Sequence, residues 1–142
     1  NVAQYAVEKA MALGGKVVKS PKGWGIGLHR YEVAATPGWQ GAASSGMSVA
    51  VSHQDQVVEK PPSAEIVACS AFTEFAGLNY AGSQAISFQC HPEFEPSFSA
   101  ALYSARRGVT LTEADADAAI ASLGDGGDRR FLAQWIASFL KG

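Results

Sequence analysis

Ala85-Ile86-Ser87-Phe88-Gln89-Cys90-His91-Pro92-Glu93 is an apolar run that ends in a histidine and a carboxylate two residues apart. A short apolar segment of this kind reads as a buried strand, and strand ends are where α/β folds gather their sites. The residue types suit proton transfer. A histidine can take a proton from a nucleophile and return it to a leaving amine, while a carboxylate on its other nitrogen fixes the tautomer and stabilises the imidazolium. Pro92 restricts the backbone between the two. His-Pro-Glu alone is too short to separate a site from a solvent-facing turn, so the flanks decide the reading.

Upstream, residues 65–70, 76–80 and 85–89 are three short apolar segments in close succession, spaced as a meander of strands after Pro61-Pro62. Residues 47–52 read as a strand that ends in Ser52-His53-Gln54-Asp55, and the glycine-, alanine- and serine-rich stretch 36–46 before it reads as a loop. Residues 16–20 and 27–33 are two further strands on either side of a turn at 21–25. At the start, Val2, Tyr5, Ala6, Ala10 and Leu13 recur at helical steps and Gly14-Gly15 ends the helix. Downstream, Pro96 is placed for the first turn of a helix over 96–106. Thr112 can cap a helix over 113–123, and Asp128 one whose Phe131, Leu132, Trp135, Ile136 and Phe139 form a wide apolar stripe. No internal repeat or linker divides the chain, so residues 1–142 are expected to form one domain.

Composition narrows the partners. With 142 residues, 47% of them apolar, there is enough chain for one core. A net charge of −2, from 11 basic and 13 acidic residues spread along the sequence, provides no basic arm for nucleic acid and no cationic face for a membrane. The apolar stretch 131–140 falls short of the roughly 20 residues that span a bilayer. The first residues lack a basic n-region and an uninterrupted apolar h-region, and Asn1 is not expected to be the translation start. Cys69 and Cys90 sit in apolar runs as buried thiols, which fits a reduced, cytoplasmic protein. His29, His53 and His91 lack metal-ligand spacing, so no metal is expected. Trp24, Trp39 and Trp135 read as core or interface aromatics, and His29 and His53 as surface or capping residues.

Four segments together resemble one family. Val49-Ala50-Val51-Ser52-His53-Gln54-Asp55-Gln56-Val57, Pro61-Pro62, Ala68-Cys69-Ser70 and Gln84 through Phe94 are similar, in order and spacing, to the C-terminal half of class I glutamine amidotransferase domains, such as that of GMP synthase. Residues 13–20 and 22–29 resemble the segment that follows the nucleophile helix there, so the likeness covers roughly residues 13–106. The resemblance implies an α/β, flavodoxin-like three-layer domain with a mixed sheet and C-terminal helices. It also implies a Cys-His-Glu triad that hydrolyses the side-chain amide of glutamine and passes ammonia to a synthetase or transferase partner, without a cofactor. His91 matches the triad base and Glu93 its orienting acid. Ser52, His53, Gln54 and Asp55 match the turn that holds the α-amino and carboxylate ends of glutamine, largely through backbone groups.

The departure lies upstream. The family's Gly-x-Cys-x-Gly-His-Gln elbow falls on residues 1–7 in a gap-free register, and Ala3 stands at the cysteine. The motif's glycines, histidine and glutamine are absent as well. Alanine supplies no nucleophile, and the elbow's N–H groups would form the oxyanion hole. Cys90 is no substitute, because neighbours along a strand point to opposite faces and its sulfur should face away from the imidazole of His91. Three readings follow: a piece of an active amidotransferase, a pseudoenzyme that keeps the fold and binds without hydrolysis, or an interaction module. The opening strands of that fold are not in this sequence, so an uncovered sheet edge is expected, met by a homo-oligomer, by swapped elements, or by the 128–140 stripe as substitute cover.

Overall fold

The computed structural model describes residues 2–34, 46–80 and 82–142. The expected loop at 36–46, with Trp39, lies outside them except for Gly46. Helix α1 (Val2–Ala12) leads into strands β1 (Lys16–Lys19), β2 (Gly25–Val33), β3 (Gly46–His53), β4 (Asp55–Glu59), β5 (Ala64–Cys69), β6 (Gly77–Tyr80) and β7 (Ala85–Phe88). Helices α2 (Pro96–Arg106), α3 (Glu113–Ser122) and α4 (Arg129–Lys141) follow.

Five strands form one sheet in the order β3-β2-β5-β6-β7, and β1 and β4 pair beside it. Helices on a curled sheet, with three of them C-terminal, match the expected α/β architecture. Every strand pairing between these elements is antiparallel, where a mixed sheet was expected. The reason is connectivity: these strands are joined without the helical crossovers that parallel pairing requires. Strand β4 was not foreseen either. Its partner is β1, in a register running from Lys16↔Glu59 to Lys19↔Asp55, and so distant a pairing leaves no local signal.

The sheet is covered on both faces. Met47, Val49 and Val51 of β3 are buried in one cluster with Val67, Phe88 and the α4 residues Leu132 and Trp135. Phe88 meets Trp135 edge to face at 5.4 Å. Ala50, pointing the other way from the same strand, packs with Tyr103 of α2 and with Ala116 and Ala119 of α3. The α4 stripe does cover the sheet, with both of its buried anchors at the middle of the helix. Thr112 caps α3 as expected, its Oγ1 accepting from the N–H of Asp115 at 3.1 Å. Asp128 stands at the N-cap of α4 but makes no side-chain cap bond. Its carboxylate accepts from the N–H of Ser48 at 2.8 Å, and its own N–H donates to the Ser48 carbonyl at 2.7 Å. That pair ties α4 to the outer edge of β3.

Tyr103 joins the second helical layer to the sheet. Its hydroxyl donates to the Val51 carbonyl at 2.5 Å and accepts from the N–H of Gly27 at 3.0 Å. Gly27 has φ +86°, and a Cβ there would lie 2.6 Å from Ser122 Oγ, so only glycine admits this approach. Among the described residues no helix is long and apolar enough to cross a membrane.

Candidate functional site

His91 is placed by backbone pairing. Beyond β7 the Gln89 N–H donates to the Ala76 carbonyl and the His91 N–H to the Ala50 carbonyl, both at 2.8 Å. The second bond carries the chain from one side of the curled sheet to β3 on the other. His91 therefore arrives beside the β3–β4 turn. Its ring lies flat on Phe94, with centroids 4.0 Å apart and planes within 3°, and Phe98 braces Phe94 edge-on at 4.7 Å. Nδ1 lies 2.7 Å from Glu93 Oε1. A carboxylate accepts only, so at neutral imidazole Nδ1 carries the proton and Nε2 keeps its lone pair. No hydrogen-bond partner holds Nε2 among the described residues. His91 is 2% exposed while the Glu93 side chain is 43% exposed. The imidazole is fixed and the carboxylate remains hydrated.

His91 lines an open pocket of about 310 Å³. Ser52, His53, Gln54 and Asp55 all reach it from the β3–β4 turn, so the structure brings the six residues singled out in the sequence together, save that Glu93 stands behind His91 rather than on the pocket wall. The turn is held by the Ser20 N–H, which donates to the Gln54 carbonyl at 2.7 Å. Across from them the first turns of α1 present Ala3, Gln4 and Val7. Ala3 is nearly buried and offers only a methyl group. Among the described residues no sulfur lines the pocket.

One expectation changes. His53 is buried, not a surface or capping residue, and among the described residues no hydrogen bond is made by either ring nitrogen. Burial, reinforced by the nearby His29 and His91, pushes its pKa down to about 4, so it is neutral at pH 7. His29 is also lowered, by burial first, and both rings pack edge-on against Phe72. Histidines distant in sequence thus share one region, though no cluster of three potential metal ligands occurs among the described residues. Cys90 is buried in the β3–α4 cluster with Tyr31 and Val67, and burial pushes its thiol up to about 12. It is protonated at any physiological pH, which removes its nucleophilicity.

Arg106 is a pocket residue that the motifs did not reveal. Its Nη1 donates to Ser52 Oγ at 2.7 Å, and its guanidinium stands 4.9 Å over the ring of Trp24. The only available signal was its place in the last turn of the helix after His-Pro-Glu. Trp24, expected as a core or interface aromatic, lines the pocket as the platform for this cation.

The glutamine amidotransferase class-I family model matches residues 8–107. That span contains His91, Glu93, the 52–55 turn and Arg106, and begins after Ala3. A glutamine amidotransferase-like protein of Schizosaccharomyces pombe is 28% identical over 132 residues, covering 92% of this chain and 52% of its own length. A crystal structure of a glutamine amidotransferase from Thermotoga maritima superposes with a TM-score of 0.70 at 20% identity, over 93% of this chain and 56% of the other. A crystal structure described as a GMP synthase component, from Thermoplasma acidophilum, gives 0.62 at 18%, over 98% and 54%. The chain spans about half the length of these relatives.

Proposed function

The chain belongs to the class I glutamine amidotransferase family, and from that premise we propose that its pocket binds glutamine without hydrolysing it on its own. One observation carries this reading. The pocket that holds His91 and the 52–55 turn is lined on the α1 side by Ala3, the residue that the family register sets at the nucleophile's position. His91 is the base of the proposed site, with Nε2 toward the ligand, and Glu93 orients it through Nδ1. Ser52, His53, Gln54 and Asp55 hold the amino-acid end.

With glutamine bound, the proton-transfer pair has no thiol to activate. Attack would fall to water, with no cysteine elbow to donate to the oxyanion. Removing the nucleophile from a triad costs on the order of 10⁶ in kcat, and each lost oxyanion donor about 10²–10³. Turnover therefore vanishes while binding persists. A synthetase-class partner is the companion that the GMP synthase-like relative suggests. The alternative, an interaction module that dimerises through an open sheet edge, has weaker support, because β3 already bonds to Asp128 at Ser48 and to His91 at Ala50.

The test is titration of L-glutamine into isotope-labelled protein. Amide shifts confined to residues 52–55, 89–93 and the start of α1 are expected. Saturating glutamine that leaves those resonances unmoved sinks the proposal.

A further inference from the structure

Two adjacent arginines end α2, and they are used differently. Arg107 donates to Glu113 Oε2 at 3.0 Å and to Asp117 Oδ1 at 2.5 Å, so its charge is matched by carboxylates of α3. Arg106 has no carboxylate partner among the described residues. A hydroxyl and an aromatic face hold it instead, through the 2.7 Å bond to Ser52 Oγ and the 4.9 Å approach to Trp24. Neither neutralises a cation. Both fix its direction, and all three residues line the pocket that contains His91.

We propose that Arg106 is a specificity-determining residue that pairs with the carboxylate of the ligand, so that the pocket selects a free α-amino acid over an amide lacking a carboxylate. This rests on the glutamine-binding reading above. A guanidinium carries five donors in a planar fork suited to a carboxylate, and one bond to Ser52 leaves most of them open. Stacking on Trp24 restricts the side chain beforehand, which lowers the ordering cost on binding. A pocket of about 310 Å³ is at the small end of ligand cavities, so a short amino acid with its amide toward His91 can place its other end near Arg106. Asp55, exposed on the same pocket, is the acceptor for the ammonium group.

The experiment compares the affinities of L-glutamine and 4-aminobutanamide, which keeps the amide and the ammonium but lacks the carboxylate. Asp55 contributes equally to both and cancels in the ratio. Wild-type protein should favour glutamine by roughly 10- to 100-fold, the scale of one charge-assisted pairing. In Arg106→Gln the preference should fall to within about threefold. Ser52→Ala, which loosens the guanidinium without removing it, should give an intermediate ratio and guards against a misfolded Arg106 variant. A general loss of pocket structure would weaken both ligands alike and leave the ratio unchanged. If Arg106→Gln keeps the wild-type preference, or wild type shows none, the role of Arg106 is overturned and glutamine binding stands. If wild type binds neither compound, both readings fall.

Discussion

His91 and Ala3 face the same pocket, and the two walls they belong to are built to different standards. On the His91 side the geometry that the proposed general base needs is set in advance. A backbone bond to Ala50 fixes position, the Phe94 stack fixes the plane, and Glu93 at 2.7 Å fixes the tautomer. On the Ala3 side the helix lines the pocket, yet it brings no sulfur, hydroxyl or charge at that position. On the proposed reading, the contrast is between two halves of a site that depend on different things. A histidine-carboxylate pair is maintained by the packing of the sheet around it, whereas a nucleophile depends on one residue type in one turn.

If packing maintains the His91 wall, loosening the sheet should cost most. Leu132 is fully buried against β3, and Leu132→Ala is expected to lower unfolding free energy by about 2–5 kcal/mol in urea titrations, through lost burial and the cavity left behind. An unchanged midpoint would show that α4 is not what holds that face.

Acid should act on the same wall. His53 has a folded pKa of about 4 against 6.5 when unfolded, so between these values the unfolded chain binds the extra proton and stability falls as pH falls. The contribution is absent above about pH 6.5 and complete below about 4. At about 1.4 kcal/mol per pH unit, the loss approaches about 3 kcal/mol. His53→Leu should flatten that part of the pH–stability curve; an equally steep curve in the variant would assign the effect elsewhere.

Smaller changes sharpen the comparison. Tyr103→Phe removes the hydroxyl between Gly27 and Val51 and should cost about 1–3 kcal/mol, because both backbone groups lose a buried partner. Glu93→Gln should leave stability within about 1 kcal/mol, given the exposure of Glu93. It replaces an acceptor by a group that can also donate to Nδ1, so nitrogen NMR of the ring should show the tautomer population shifting. An unaltered population would mean that Glu93 does not set it.

Much of the His91 wall was legible in the sequence. A strand running into His-Pro-Glu, with the Ser52 to Asp55 turn a fixed distance upstream, specifies its own neighbours because both segments end strands of one sheet. The absence at Ala3 was equally visible. What escaped notice depended on pairings distant along the chain. Strand β4 needs β1, the Asp128 carboxylate chose Ser48 over its own helix, and His53 is buried by Phe72 from another turn. Arg106 escaped for the same reason, since its partners Ser52 and Trp24 come from two other elements.

The central claim, a glutamine site with its base in place and its nucleophile absent, is tested most directly by measuring ammonia released from saturating L-glutamine by this chain, beside its His91→Ala variant. The two are expected to be indistinguishable from each other and from buffer. Ammonia production by the wild type that the substitution abolishes would contradict it.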